Sequence, residues 1–395
     1  MRNQSQKIRI SLCIALALCS VDASVMAEPK KAPIQIGAIH NLSGALGSIG
    51  APSMAGARLA VKQLNARGGL LGRPVVLAER DGRSDPARVA AATRELVHTP
   101  GLSAITGLND TSMVLAAAPI AEKARMVFLT SGATSPLVPL QFTLYYFMAC
   151  FGDNTQAAAG AEYAYRTLHA TRAWLLLDDT TDYTVLLARY FRERYTELGG
   201  EIVGEDTYAG GTLDFSDQIA RILALPALPD MLYISAGPDD IGRLVKQVRE
   251  AGINVPIVGG DGYDTPLLLQ VAGAAADNTY FTTHAFLDAT QGTPAVRQFI
   301  ADYAAEYGVA PDTTFAALAY DAVMLIADAI ERAGSAKQKV IADALEATDG
   351  FPGVTGSISL GPGAHLPDKD VTVVKVTGTT LTLAAVVRPE KVPNP

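Results

Sequence analysis

Hydroxyl-rich loops follow short apolar runs that have the composition of buried strands. The stretch "TSGATSP" at 130–136 and the stretch "GLNDTS" at 107–112 each begin where such a run ends. Hydroxyl groups and free backbone N–H groups at the start of a helix form a ready-made anion site. Ordinary capping by Thr111 or Ser112, with a turn at Thr134, explains the same residues. Both interpretations stay open on these loops alone.

Other residue types that could do chemistry lack the spacing that it requires. The adjacent acids Asp178 and Asp179 stand at a predicted strand end, where a helix cap and a solvated charge explain them better than acid–base or metal chemistry. The five histidines are scattered without an HExxH pattern. The glycines of "GALGSIG" lack the dinucleotide spacing, and no Walker loop or Gly-x-Ser-x-Gly elbow occurs. We therefore expect no enzyme, no metal and no cofactor.

Strand and helix patterns alternate along most of the chain. A first series has predicted strands at 33–39, 74–79, 103–106 and 126–129, with helices at 50–67, 86–98 and 111–123. After a helix at 154–168, a second series has strands at 173–177, 201–208, 230–234 and 256–258, with helices at 183–198, 214–224, 238–251 and 265–272. This order predicts an α/β fold of two doubly wound lobes, each a parallel sheet with helices on both faces.

The last third of the chain has a different pattern. Predicted helices at 294–307, 313–333 and 337–347 have no strand between them, and alternating runs at 355–360, 371–377 and 380–387 follow. We expect the helices to return to lobe 1 and the strands to complete lobe 2. The expected lobe 1 is 34–152 with 283–354, the expected lobe 2 is 153–282 with 355–388, and 389–395 is expected to be a flexible tail.

The N-terminal segment has the features of a secretory signal. Basic residues precede a short apolar run at 10–19, and small residues before Glu28 offer a cleavage site. We predict a signal peptide at 1–27, because the apolar run is far shorter than a membrane span of about 20 residues. Its removal takes away two of the three cysteines and leaves Cys150 alone, so no intramolecular disulfide is expected.

The overall composition narrows the functional classes. Hydrophobic residues make up 49% of the sequence and charged residues 18%, as in globular proteins. The net charge of −8 argues against nucleic-acid binding, which depends on clustered lysine and arginine.

Several motifs resemble one protein family in their order and spacing. The opening strand is followed by "LSGALGSIG", "NARGGLLG" and "DPARVA", and the similarity continues through "SGATSP", "DDTTDY", "REAGINVPIVGGDG" and the helix "AALAYDAVMLIADAIERAGS". The sequence resembles periplasmic solute-binding proteins of ABC importers, of the branched-chain amino acid (Leu/Ile/Val) type. The resemblance implies the type I periplasmic binding protein fold, in which a three-segment hinge joins the two lobes.

The resemblance implies a ligand site on lobe 1 for a carboxylate. In relatives that bind amino acids, the carboxylate is held by a hydroxyl after the third strand and by the threonine of an Ala-Thr motif. These positions match Thr111, with Ser112 adjacent, and Thr134. Backbone N–H groups around Gly132 and Ala133 are expected to complete the cradle.

The resemblance also implies contacts from lobe 2 and from neighbouring loops. Asp261 matches the acid that meets the ligand ammonium, and Tyr183 matches an aromatic wall. Ile49, Asn109 and Tyr263 are expected to line the pocket. Such a site recognises a zwitterion without a metal.

Some positions depart from the family pattern. The first loop has Ile49 where amino-acid binders often have an aromatic residue, the loop 235–239 lacks a tyrosine, and Met148 stands where many members have arginine. The ligand side chain therefore stays open, and a small amide, a urea-like compound or an aromatic acid is an alternative.

The predicted function is capture of a small amino acid, or a related carboxylate or amide, in the periplasm. The expected partners are this ligand and an inner-membrane ABC permease, the protein is expected to be a monomer, and nucleic acid is not a partner. The alternative is a ligand sensor of the same fold that signals to a separate partner.

Overall fold

Strands and helices alternate through the chain as the sequence predicts. The computed structural model describes residues 31–361, 363 and 365–395, so the predicted signal peptide at 1–27 lies outside the described residues. The strands are β1 (Ile34–His40), β2 (Val75–Asp81), β3 (Leu102–Gly107), β4 (Phe128–Thr130), β5 (Tyr146–Met148), β6 (Arg172–Asp178), β7 (Glu201–Tyr208), β8 (Met231–Ser235), β9 (Ile257–Gly259), β10 (Thr279–Thr283), β11 (Phe351–Gly353), β12 (Gly356–Ile358), β13 (Val371–Thr377) and β14 (Thr380–Val387). The helices are α1 (Gly47–Ala66), α2 (Pro86–Val97), α3 (Thr111–Lys123), α4 (Val138–Gln141), α5 (Asp153–Arg166), α6 (Asp182–Glu197), α7 (Ser216–Leu223), α8 (Ile241–Glu250), α9 (Pro266–Ala272), α10 (Pro294–Tyr307), α11 (Thr314–Ala333) and α12 (Gln338–Glu346).

The first sheet is parallel and has the strand order β2-β1-β3-β4-β5. Successive side chains of a strand point to opposite faces, so each buried strand serves two cores. Leu129 of β4 lies in one core with residues of α1, α11 and α12, while its neighbour Phe128 lies in another with residues of α2 and α3. This arrangement explains why the inner strands β3 and β4 are buried throughout and do not alternate.

The second sheet has the order β14-β13-β10-β9-β8-β6-β7. The strands from β7 to β10 are parallel, whereas β13 and β14 are antiparallel. The faces again divide by alternation: Leu176 packs with residues of α7, α8 and α9, and Leu175 packs with residues of α5 and α6. The second lobe is therefore doubly wound like the first.

The chain passes between the sheets after β5, after β10 and after β12. Helices α10 to α12 return to the first sheet, as the sequence predicts. Val296 and Phe299 of α10 pack beside Leu59 of α1, and the Ser53 hydroxyl of α1 donates to the Phe315 carbonyl of α11 at 3.1 Å. These crossings form the three-segment hinge of the fold, within the one compact unit that residues 32–395 make.

The C-terminal part differs from the sequence prediction. The run 355–360 was expected to extend the second sheet, but β12 pairs with β11, and Ile358 and Leu360 pack in a core of the first sheet. Residues 389–395, expected to be a flexible tail, lie against α5. Asn154 donates to the Pro393 carbonyl at 2.9 Å, and the Glu390 amide donates to Glu162 at 3.0 Å.

In the part of the chain that the structure describes, no helix is both long enough and apolar enough to span a bilayer.

Candidate ligand-binding site

A cleft of about 350 Å³ lies where the loops after the strands of both sheets meet. Parallel sheets expose their loops and helix N-termini at the carboxyl ends of the strands, which is where ligands bind. The lining residues are Ala45, Leu46, Ile49, Asn109, Asp110, Thr134 and Phe315 from the first lobe, and Asp178, Thr180, Thr181, Tyr183, Gly210, Gly211, Gly237, Pro238, Asp239, Asp240, Asp261 and Gly262 from the second. The two lobes also contact each other directly: the Thr265 hydroxyl of the second lobe donates to the Ser48 hydroxyl of the first at 3.1 Å.

The first-lobe wall combines apolar side chains with a fixed polar group. Ile49 and Asn109, both predicted pocket residues, line the cleft. The Asn109 amide donates to the Ser53 hydroxyl at 2.8 Å and accepts from the Ser131 hydroxyl at 2.8 Å. Its orientation is therefore set by the protein before any ligand arrives. Thr134, the predicted carboxylate contact, also lines the cleft.

The start of α3 is arranged differently from both sequence interpretations. The N-cap is Asp110, whose carboxylate accepts from the Met113 amide at 3.2 Å, and not Thr111 or Ser112. Among the residues described, the cleft lining contains Asp110 but neither Thr111 nor Ser112. The Thr111 hydroxyl is buried, with 2% of the residue exposed, and it has no hydrogen-bond partner within the described part of the chain.

The predicted amide cradle at 132–133 is turned to internal bonds. The Gly132 amide donates to the Leu108 carbonyl at 3.2 Å, and the Ala133 amide donates to the Thr130 hydroxyl at 3.1 Å. Neither residue belongs to the cleft lining that the described residues form. The expectation that these two N–H groups face the ligand is therefore wrong, because the loop uses them to fix its own turn.

The second-lobe wall is built around the Asp261 carboxylate. Its Oδ1 accepts from the Tyr183 hydroxyl at 2.9 Å and from the Gln156 amide at 2.9 Å, and its Oδ2 lies 3.0 Å from His284 Nε2. Burial is the main cause that lowers the pKa of His284, so the ring is neutral at neutral pH. Because a carboxylate oxygen only accepts, Nε2 carries the ring proton and donates it to Asp261. Tyr183 also accepts from the Gly262 amide at 2.9 Å, which aims the phenol at the carboxylate.

A second carboxyl group, Asp153, lies beneath this wall at the start of α5. The Gln156 amide that donates to Asp261 also donates to Asp153 at 3.0 Å. Burial, followed by the nearby Asp261 charge, raises the pKa of Asp153 to about 8. Asp153 is therefore protonated at neutral pH.

Tyr263, predicted to line the pocket, is a core residue in the structure. It is buried, its hydroxyl donates to the Ile234 carbonyl at 2.7 Å, and its ring lies beside Phe281. The prediction fails because the chain forms a short 3-10 turn at Asp261–Tyr263, which turns the tyrosine towards its own sheet.

The sequence interpretation missed most of the acidic residues of the cleft. Asp110, Asp178, Asp239 and Asp240 line it together with Asp261. The available signal was their position in the loops and helix starts that follow predicted strands. Within the described residues, no group of three or more potential metal-ligating side chains was found, so these acids do not form a recognisable metal cluster.

The fold and this cleft define a two-lobe binding protein. The family model described as "Periplasmic binding protein" matches residues 33–380, and the chain belongs to this family. It is 26% identical over 366 residues to the Leu/Ile/Val-binding protein BraC3 of Rhizobium johnstonii, which covers 91% of this chain and 97% of that protein.

Solved structures agree with this assignment. The leucine binding protein LivK from Thermotoga maritima has a TM-score of 0.83 and 32% identity, over 90% of this chain and 99% of that one. The branched-chain amino acid binding protein LivJ from Streptococcus pneumoniae, solved in complex with isoleucine, has a TM-score of 0.84 and 32% identity, over 90% of this chain and 100% of that one.

Proposed function

We propose that this chain is a periplasmic solute-binding protein that captures a small ammonium-bearing solute, an amino acid or a related amide or amine, and delivers it to an inner-membrane ABC permease. The carrying observation is the Asp261 carboxylate, which lines the cleft, is 2% exposed and is held by three donors. A preorganised carboxylate in a largely apolar cleft is suited to an ammonium group. Relatives named as Leu/Ile/Val-binding proteins support an amino acid.

The cleft also supports closure of the lobes around the solute. Thr134 belongs to the first lobe, whereas Tyr183 and Asp261 belong to the second. A solute that contacts both lobes binds the closed state better than the open one, and only such a difference shifts the hinge equilibrium. We propose that the lobes move about the segments that follow β5, β10 and β12, and that the closed form is the one the permease receives.

Substitution of Asp261 tests the site. The molecule released from purified protein is identified by mass spectrometry, and its affinity is then measured by calorimetry for wild type and Asp261→Asn. We expect the substitution to weaken binding about 10- to 100-fold, since it removes a charge-assisted hydrogen bond. Asparagine keeps an acceptor for Tyr183 and Gln156, and its NH2 group can donate to His284 Nε2 when the neutral ring carries its proton on Nδ1. The melting temperature of the free protein should therefore change little.

The control is Asp343→Asn, an exposed acid of α12 outside the cleft. It should bind with wild-type affinity. Equal affinities for the wild type, Asp261→Asn and the control would remove Asp261 from the ligand site.

A further inference from the structure

Gln156 of α5 is a fully buried residue whose side-chain amide makes four hydrogen bonds. Its nitrogen donates to Asp153 Oδ1 at 3.0 Å and to Asp261 Oδ1 at 2.9 Å. Its oxygen accepts from the Asp261 backbone amide at 3.1 Å and from the Thr282 hydroxyl at 2.9 Å. Both donors and both lone pairs of the amide are therefore used, and these partners allow the amide group only one orientation.

Gln156 lies behind the wall of the cleft. Among the described residues, the lining includes Asp261 but not Gln156. Within the same part of the chain, Gln156 alone bonds both the carboxylate and the backbone N–H of Asp261. A side chain that holds both groups of one residue fixes the torsion angles between them. The direction in which the carboxylate faces the cleft is thus set by Gln156.

The two other donors to the carboxylate come from different elements. Tyr183 is in the first turn of α6, and His284 directly follows β10. Each donates one hydrogen bond to a carboxylate oxygen of Asp261. They stabilise its negative charge, but a hydrogen bond to an oxygen alone leaves the carboxylate free to rotate with its partner.

The shared amide also brings a second carboxyl group next to Asp261. Neighbouring buried carboxyl groups do not both ionise readily, so one of the two keeps its proton. Asp261 accepts from three side-chain donors, which favour its charged form. Asp153 keeps the proton, because burial, followed by the nearby Asp261 charge, raises its pKa to about 8.

The same network reaches the first-lobe wall of the cleft. The Asp153 backbone amide donates to the carbonyl of Thr134, which lines the cleft, at 2.7 Å. The Thr134 hydroxyl is close enough to oppose the rise in the pKa of Asp153, but within the described chain it does not reach hydrogen-bond geometry with Oδ2. Hydrogen bonds therefore lead from Thr134 through Asp153 and Gln156 to Asp261, from one lobe to the other.

We propose that Gln156 is a positioning residue of the ligand site, which holds the Asp261 carboxylate in the orientation that receives the solute ammonium and ties it to the Thr134 wall. Gln156 acts through Asp261 and does not contact the solute. A carboxylate that is oriented before the solute arrives does not have to be ordered on binding, which favours affinity. The inference rests on the proposed function, because it adds a residue to the same site.

The probe for the test is an amine-bearing molecule. It is the amine that purified protein releases or, where none is released, the standard L-amino acid that raises the melting temperature most. Its affinity is measured by calorimetry for each variant.

Substitution of Gln156 by methionine removes the donors at similar side-chain length. Asp261 then loses one of its three side-chain donors and the bond to its backbone amide. We expect Gln156→Met to weaken the probe about 10-fold, since a charge-assisted hydrogen bond depends on its geometry. In the Asp261→Asn background, where the carboxylate is absent, the same substitution should change the affinity less than about 2-fold.

A milder variant covers the case in which Gln156→Met does not fold. Thr282→Val keeps the shape of the side chain and removes the hydroxyl that anchors the Gln156 oxygen. We expect it to weaken the probe about 3-fold, and again only when Asp261 is present.

The matched control is Gln63→Met in α1, outside the cleft. Gln63 also uses both ends of its amide, because it donates to Asp302 at 2.9 Å and accepts from the Tyr320 hydroxyl at 2.6 Å. Its substitution should lower the melting temperature and leave the affinity for the probe at the wild-type value.

The outcomes separate this inference from the proposed function. Wild-type affinity in Gln156→Met, or in Thr282→Val where Gln156→Met does not fold, would overturn the inference, as would an equal loss with and without the Asp261 carboxylate. The binding function would stand in these cases, provided that Asp261→Asn itself weakens the probe. If no amine is released and no amino acid binds, both fall.

Discussion

At the scale of single residues, Asp153 makes the stability of the protein depend on pH. Its pKa of about 8 in the folded protein lies above the ordinary value of 3.8, because the carboxyl group is buried near Asp261. The unfolded chain therefore loses this proton first as pH rises. The Asp153 contribution to the free energy of unfolding is fully present below about pH 4 and is lost towards about pH 8.

The substitution Asp153→Asn should remove this loss. We expect the variant to match wild type closely at about pH 4 and to be more stable by on the order of 5 kcal/mol at about pH 8, measured by urea denaturation across that range. Asp217→Asn, an exposed acid of α7, is the control and should follow the wild-type curve. Parallel curves for wild type and Asp153→Asn would contradict the assignment.

Part of the cleft could be predicted from the sequence residue by residue. Thr134, Tyr183 and Asp261 line the cleft because strand ends determine where their loops lie. Which side chain of a loop faces the cleft depends on hydrogen bonds that the sequence does not reveal, such as those that turn Tyr263 inward.

The cleft acids were missed for a related reason. A carboxylate after a strand commonly caps a turn, and Asp178 does accept from the Thr180 amide at 2.9 Å. One carboxylate can cap a turn and line the cleft at the same time. The sequence indicated only the capping role.

At the scale of elements, the contact of α1 with α11 depends on the absence of a side chain at Gly56. A Cβ atom there would lie 1.9 Å from the Ala316 carbonyl oxygen of α11. Gly56→Ala should lower the free energy of unfolding by about 1–3 kcal/mol, because the backbones of α1 and α11 must move apart to make room for the methyl group. The measurement is urea denaturation.

The matched control is Gly47→Ala in the same helix. A Cβ at Gly47 would make only ordinary contact, 3.6 Å from the Leu42 carbonyl oxygen. Its free energy of unfolding should stay within about 0.5 kcal/mol of wild type. Equal effects of the two substitutions would show that the close approach of α1 and α11 has no energetic weight.

Most elements could be predicted because buried parallel strands and amphipathic helices leave strong patterns. The strand β5 was missed because, unlike the equally short β4 and β9, it does not come directly after a predicted helix. The partner of β12 could not be inferred either, since pairing with β11 or with the second sheet gives the same alternation in sequence.

At the scale of the whole molecule, one buried lysine connects two of the crossings between the sheets. Lys369 Nζ donates to the Ala149 carbonyl at 3.1 Å, just after β5, and to the Thr355 hydroxyl at 2.7 Å, just before β12. Thr355 in turn donates to Asp321 of α11 at 2.7 Å. The hinge is thus anchored in the first lobe, while the cleft lies between the loops at the strand ends.

The central claim is that the solute lies in this cleft and contacts both lobes. The most direct test is a crystal structure of the protein with the molecule that mass spectrometry identifies in the purified sample. The account predicts ligand density between Thr134 and Asp261. Density only elsewhere, for instance in the cavity lined by Lys369 and Arg388, would contradict it.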